Sequence, residues 1–342
     1  MRLRWPGNEQ FLFFANVLVD KLLYRKTQFN HVKEILVIKW DEIGDMAVAS
    51  HVFESLKKSF PDAKIHLICK PFVKSLVEYD PNIDFIATTL DAYNAKFDIV
   101  VELRGTWKTL LKTFKYWPVN RVSRATVRWK NKGNQQHEIV TNQMVLQPLL
   151  GQMDKTVSPR LYFSHVDVKK VEDFLSVNEI QKFAIVHAGA RKKLRQWPLD
   201  RFALAIQFLK RKYNLDIVFA GTEEDEADIN VIAEKVDFKT YKFTRGFSLS
   251  QFSALCSKAS FYLGNESGPL QIAATFEIPL VGLFGPGVKD VFYPLNTNAR
   301  VLHYILDCNP CDQVHCVRPE QPCIQLIQVN EVEQAIDSLL KN

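Results

Sequence analysis

The sequence predicts an α/β chain made of two Rossmann-like halves with parallel sheets. Three observations carry this. Short apolar runs alternate with amphipathic helical patterns from about residue 33 onward. The alternation restarts after about residue 160. Polar, glycine-containing turns follow several of the apolar runs. Strands joined through helices by short turns pair in parallel, because the right-handed crossover returns each strand in the same direction. A length of 342 residues accommodates two cores, and 47% hydrophobic with 24% charged residues is the balance of a soluble protein. The expected domains are residues 1–160 and 161–342, with a cleft between them.

Taken in order, "FLFFANVLVDKLLYRK" is apolar but interrupted by Asn16, Asp20 and Lys21, and lacks a small-residue cleavage site. It reads as a terminal helix packed on the first half, or as a helix lying on a membrane surface. "EILVIKW" is a buried strand. "DEIGDMAVASHVFESLKKSFP" is a turn and then a helix whose Met46, Val48, Val52, Leu56 and Phe60 line one side. "KIHLICK", "IDFIATT" and "FDIVVELRG" are strands, and "PFVKSLVEY" is a helix. In the second half "KFAIVHAG", "LDIVFAG", "ASFYLG" and "PLVGLFGPG" are strands. "VKKVEDFLSV", "LDRFALAIQFLKRKY", "EADINVIAEKV", "SLSQFSALCSKA" and the terminal "VNEVEQAIDSLL" are helices. No stretch approaches the roughly 20 apolar residues that span a bilayer.

In such sheets ligands gather at the C-terminal ends of strands. In the first half that place is "KWDEIGDM". Gly44 permits a tight turn, and Asp45 is either a helix cap or a carboxylate able to take a proton from an acceptor hydroxyl. In the second half, "HAGARKKLRQWP" brings Gly189 and the cations Arg191, Lys192, Lys193 and Arg195 to a strand end, which suits a phosphate. "FAGTEED" offers carboxylates for ribose hydroxyls. "GNESGPLQ" is a polar knot at a strand-to-helix switch, where helix-start amides meet anions. Neither G-x-G-x-x-G nor a Walker A pattern occurs, which argues against a nicotinamide or NTPase site.

The net charge is +6, and residues 1–155 hold 23 Lys/Arg against 16 Asp/Glu. Nine cations and no acid lie between Leu103 and His137: Arg104, Lys108, Lys112, Lys115, Arg121, Arg124, Arg128, Lys130 and Lys132. Such a field attracts anionic lipid headgroups or phosphorylated glycans, or is simply a solvated surface. No nucleic-acid-binding motif accompanies it, so nucleic acid is not an expected partner. Of six cysteines, Cys69 and Cys256 stand alone in apolar context. Cys308, Cys311, Cys316 and Cys323 are spaced C-x₂-C-x₄-C-x₆-C, a compact set that suits structural zinc or iron, with free thiols or two disulfides as alternatives. Without an export signal the expected compartment is the reducing cytoplasm.

Together these motifs resemble glycosyltransferase family 9, the bacterial lipopolysaccharide heptosyltransferases, over roughly residues 33–340. Four ordered stretches carry the likeness: "ILVIKWDEIGDMAVASHVFESLKKSFPDAKIHLICKP", "HAGARKKLRQWPLDRF", "GNESGPLQIAATFEIPLVGLFGP" and "CNPCDQVHCVRPEQPC". The resemblance implies a GT-B fold, two facing Rossmann-like domains with the acceptor on the first and the nucleotide sugar on the second. It implies an inverting transfer that needs no metal. By the same resemblance Asp45 is the acceptor base and Arg195 takes the place of a phosphate-binding lysine. Gly189 and Ala190 offer amides, Glu224 holds ribose, and Phe247 packs on the base. Ser267 and Gly268 contact phosphate and sugar. Arg104, Lys108, Arg121 and Arg124 are expected to face an anionic glycolipid acceptor at the inner face of the cytoplasmic membrane. Two residues depart from the family pattern: Glu266 stands where an aspartate is usual, and Gln271 where a histidine is. These leave the sugar open, together with a protein or other polysaccharide acceptor and a catalytically silent binding role. The cysteine cluster is expected to lie far from the chemistry.

Overall fold

The computed structural model describes residues 7–23, 31–116, 118, 120–131, 136–153, 158–309 and 311–341. Lys132 and the 24–26 end of the first apolar segment lie outside them. The chain divides into two compact units, Met1–Tyr162 and Phe163–Asn342.

The first unit is built on β1 (Glu34–Lys39), β2 (Lys64–Cys69), β3 (Phe85–Ala87), β4 (Ile99–Glu102) and β5 (Asn120–Ser123), in the order β3-β2-β1-β4-β5. Every pairing is parallel. The strands run apolar without alternation because helices cover both faces of such a sheet. Ile35, Leu36, Val37 and Ile38 are all fully buried. The helical stretch expected after β1 is two helices: α1 is the terminal Gly7–Leu23, α2 is Ile43–Ala49, and a second helix, His51–Ser59, follows. Ser50 makes the break, its hydroxyl donating to the Ala47 carbonyl at 2.8 Å and so competing with the helix ladder. Met46, Val48, Val52, Leu56 and Phe60 are all buried, as their spacing requires.

The second unit holds β6 (Phe183–His187), β7 (Asp216–Ala220), β8 (Thr240–Phe243), β9 (Phe261–Asn265), β10 (Leu280–Phe284) and β11 (Ala299–His303). Their order, β11-β10-β9-β6-β7-β8, is the doubly wound arrangement, again all parallel. In each sheet the winding reverses direction beside the first strand, between β1 and β4 and between β6 and β9. Those two switch points are where the turns after β1, β6 and β9 emerge.

β5, β8 and β11 escape the sequence reading. β5 is the four-residue "NRVS" and β8 the four-residue "TYKF", both short and polar enough to pass for loop. "ARVLH" carries polar residues on an edge strand that is only half-buried.

Candidate functional site

In the first unit the β1 switch point is lined by buried charge. The Lys39 ammonium lies 2.9 Å from Asp41 and 3.8 Å from Glu138, all three shielded from water. Arg104 pairs with the other Asp41 oxygen, across the switch from β4. Arg124 reaches Glu138 at 2.6 Å. Asp45 sits in the first turn of α2, at its third residue. It makes no capping hydrogen bond, and Glu42, not Asp45, holds the cap position. The cap reading of Asp45 therefore gives way to that of a carboxylate held without a hydrogen-bond donor among the described residues.

The two aspartates are pushed apart in acidity. For Asp45, burial raises the pKa above the ordinary carboxylate range; Lys39 opposes this, while Asp41 and Glu138 add to it. For Asp41, burial also pushes upward, but Lys39, Arg104 and Arg124 outweigh it and the carboxyl stays below its usual value. A pair of neighbouring carboxylates separated in this way is a signature of acid–base assignment. Asp41 pairs with the cations Lys39 and Arg104, while burial disfavours the charged form of Asp45. Lys39, Asp41 and Glu138 were missed by sequence reasoning. A lysine inside an apolar strand was the signal that could have found them, since a buried ammonium needs carboxylate partners.

The basic stretch is not one surface. Arg121 is fully buried and bonded to Asp20 and Asn16 of α1, with Glu102 at 3.5 Å. Arg124 is buried against Glu138. Both are structural ion pairs rather than acceptor contacts, because a guanidinium already desolvated and paired has no face to offer a ligand. Lys112 and Lys115 share Asp91. Lys108, Arg128 and Lys130 are exposed, and Arg104 is half-exposed at the switch point.

In the second unit Asn265, the last residue of β9, ties two turns together. Its amide donates to the Ala188 carbonyl at 2.6 Å and accepts from the Trp197 backbone N–H at 3.1 Å. Trp197 is buried and anchored through its indole N–H to the Ile327 carbonyl. The loop carrying Gly189, Ala190 and Arg195 is thereby fixed beside the Glu266–Gly268 turn. Gly189 is needed because Asp225 packs against it; a Cβ there would lie 2.1 Å from an Asp225 oxygen. Thr222 holds the other Asp225 oxygen through its N–H and hydroxyl. Asp225, not Glu224, is thus the carboxylate against the loop, and Glu224 is exposed.

Glu266 is 5% exposed. One of its oxygens lies 3.4 Å from Arg195, and the other has no hydrogen-bond partner among the described residues. Burial raises its pKa and Arg195 partly restores it. Gly287 of the next turn closes over it, for a Cβ there would come within 2.0 Å of the carboxylate. Ser267 spends its hydroxyl on His187 at 3.3 Å instead of capping the helix Gly268–Ala274. Burial keeps that histidine neutral by lowering its pKa. Gln271 donates to the Phe292 carbonyl at 2.6 Å, which ties it to the following segment. Phe247 is half-buried, stacked on Phe243 at 3.6 Å, and the Lys170 ammonium is 5.2 Å from its ring.

A small, partly open pocket is lined by Cys308, Cys311, Cys316 and Cys323 together with Leu194 and Pro286. This corrects the expectation of distance: Leu194 adjoins Arg195, and Pro286 adjoins Gly287. Two of the sulfurs accept backbone N–H groups, Cys311 from Gln313 at 3.3 Å and Cys316 from Arg318 at 3.4 Å. None of the six cysteines is joined in a disulfide in this structure. Among the described residues no three ligand-type side chains converge on one point.

A family profile for glycosyltransferase family 9 (heptosyltransferase) matches residues 93–321. The chain belongs to glycosyltransferase family 9. Lipooligosaccharide heptosyltransferase 2 of Campylobacter jejuni is 23% identical over 323 residues, covering 88% of this chain and 96% of the relative. The crystal structure of the glycosyl transferase family 9 protein from Veillonella parvula aligns with a TM-score of 0.78 at 21% identity, over 90% of this chain and 97% of that one. E. coli ADP-heptose LPS heptosyltransferase II gives 0.70 at 20% identity, over 90% and 98%. Two Rossmann-like units with this likeness place the fold in the GT-B class, and the chain is a family 9 glycosyltransferase.

Proposed function

We propose that this family 9 enzyme moves heptose from ADP-heptose to a lipopolysaccharide core acceptor with inversion. The observation that carries the donor half is the switch point of the second sheet, where Asn265 locks the Gly189–Arg195 loop beside Glu266 and Ser267. Donor and acceptor chemistry come from the relatives, which are heptosyltransferases by name. In the proposed step Asp45 takes the proton of an acceptor hydroxyl, the freed oxygen attacks the anomeric carbon, and the bond to the diphosphate breaks. Arg195 and the loop amides stabilise the leaving diphosphate, where fixed charge counts most. Glu224, exposed just past the end of the neighbouring strand β7, is the proposed ribose contact, with Asp225 holding the turn beneath it.

The Glu266 carboxylate lies directly against Gly287, which leaves no room there for a side chain. Among a panel of ADP-heptose, ADP-glucose, UDP-glucose and GDP-mannose, the wild type is expected to turn over ADP-heptose best. Glu266→Asp should lower that activity roughly tenfold, because the carboxylate retreats by about an ångström. Higher ADP-heptose activity in Glu266→Asp with Gln271→His would show instead that the native pair selects another sugar.

The enzyme is also proposed to work against the anionic inner face of the cytoplasmic membrane. No described helix is long and apolar enough to cross a membrane, but α1 is apolar on both sides. Leu12 and Phe13 face the core, while Phe11, Phe14, Leu18 and Leu22 recur at i, i+3, i+7 and i+11 and are half or more exposed. Helix Trp107–Tyr116 exposes Trp107, Leu111 and Phe114 in a matching stripe. Ring contacts of Phe11 with Trp107 at 5.6 Å and Phe14 with Trp129 at 6.0 Å join the stripes into one face. Exposed Lys21, Lys108 and Lys130 lie on the same three helices. Aromatic and aliphatic groups flanked by lysines suit a lipid interface with anionic headgroups. Phe14→Ser, Leu18→Ser and Leu111→Gln together should weaken flotation with phosphatidylglycerol vesicles roughly tenfold or more, with donor hydrolysis unchanged. Unaltered flotation would remove the lipid reading, and self-association in its place would point to a second copy.

The four cysteines are proposed to hold a structural zinc or iron ion. The donor set is four cysteine sulfurs around one pocket, not gathered on one point in this structure, so an ion would have to draw them together; the two N–H···S bonds are the kind of outer-shell support that thiolate ligands receive. Anaerobically purified protein should carry about one metal ion per chain by elemental analysis, and metal-free protein would exclude the idea.

A further inference from the structure

We propose that Gln313, in the cysteine segment, is a positioning residue for Arg195 and so sets the affinity for the donor's diphosphate. The proposal rests on the reading of Arg195 as a phosphate contact. Arg195 donates its Nε–H to the Gln313 side-chain oxygen at 2.7 Å. Its Nη1 lies 3.4 Å from Glu266. A guanidinium is a planar fork, so two contacts on different nitrogens fix the plane and leave the remaining N–H groups with a defined direction. Without Gln313, Arg195 would be restrained only by the longer approach to Glu266, and its side chain is partly exposed.

Gln313 is itself held. Its backbone has φ of +63°, a region that side chains other than glycine and asparagine rarely adopt. Its N–H donates to the Cys311 sulfur at 3.3 Å. A turn this unusual, tied to a thiol and aimed at a cation 118 residues earlier in the chain, places a neutral amide oxygen where a carboxylate would also fit. The amide suits the role better. It orients the guanidinium without neutralising the charge that a diphosphate needs. The same pocket is walled by Leu194 and Pro286, so the cysteine segment supports both the Arg195 loop and the turn over Glu266.

The choice of variant matters, because alanine at a positive φ would strain the turn. Gln313→Asn tolerates that backbone and retains an amide, but its shorter side chain cannot reach Arg195. Affinity for ADP, or for the tightest of ADP, GDP and UDP, is measured by calorimetry in wild type, Gln313→Asn, Arg195→Ala and the double variant. Gln313→Asn should weaken binding roughly fivefold to tenfold, the size of one ordinary hydrogen bond, because Gln313 acts on the diphosphate only through Arg195. In the Arg195→Ala background the same change should cost less than about twofold, since a residue that acts through another loses its effect when that partner is gone. Donor KM should rise while kcat stays within about twofold. Equal weakening in both backgrounds would make Gln313 a general structural support and overturn the proposal, as would unaltered binding in Gln313→Asn. If Arg195→Ala itself leaves nucleotide affinity unchanged, the phosphate reading of Arg195 falls, and the proposal with it.

Discussion

Asp45→Asn is expected to reduce turnover by roughly 10² to 10⁴, the range seen when a positioned general base is removed. The isostere keeps the volume at the start of α2, so nucleotide affinity in the second unit should stay within about twofold of wild type. The pH profile adds a second check. Burial raises the Asp45 pKa, with Asp41 and Glu138 adding to the rise. A base must be deprotonated to act, so activity should climb with pH through a value above the ordinary carboxylate range and fall away below it. Asp45→Asn should lose that ascending limb, because the group that titrates is gone. Arg124→Gln should move the limb upward, since Arg124 is one of the charges that hold the Asp45 carboxylate ionised. Near wild-type turnover in Asp45→Asn, or a limb that persists in it, would transfer the role of base to another residue.

The second large effect is on stability. Asp20 of α1 accepts hydrogen bonds from Arg121, Ser123 and Thr126, the last two at the end of β5 and the start of the helix after it. Asp20→Ala leaves Arg121 buried with Asn16 and the 3.5 Å approach of Glu102, whose own carboxyl burial pushes toward the neutral form. Removing one partner of a buried ion pair costs about 3–5 kcal/mol, because the remaining charge is uncompensated. For a unit of this size that is a fall in Tm on the order of 10 °C. Asp20→Asn should lose less, as it keeps an oxygen for Ser123 and Thr126. A melting point within about 2 °C of wild type in Asp20→Ala would show that the first unit does not depend on α1.

Much of this molecule was legible before its coordinates. The long apolar strands β1, β2, β6, β7, β9 and β10 declare themselves because both sheet faces are covered, so nothing polar interrupts them. Turn chemistry placed Asp45, Gly189, Arg195 and Glu266 at strand ends, and parallel winding brings strand ends to one edge. Contacts between residues far apart in sequence were not legible. Lys39 with Glu138, Asp20 with Arg121, and Gln313 with Arg195 each join segments that no local pattern connects. Charge counting failed for the same reason: a run of nine cations looks uniform until Asp20 and Glu138 take Arg121 and Arg124 inside. The packing of Asp225 against Gly189 was likewise hidden, because consecutive acids cannot be told apart by local pattern.

The dual character of α1 bears on how the proposed membrane contact would be made. A helix that swung out on a leash to enter lipid would carry Asn16 and Asp20 into the acyl region and strand Arg121 in the protein. Both costs oppose detachment. The helix therefore acts as a keel welded to its hull. If the proposed contact of Phe11, Phe14, Leu18 and Leu22 with lipid forms, the whole first unit comes with the helix at a set tilt. The height of Asp45 above the lipid would then be decided by folding, not by the slack of a linker.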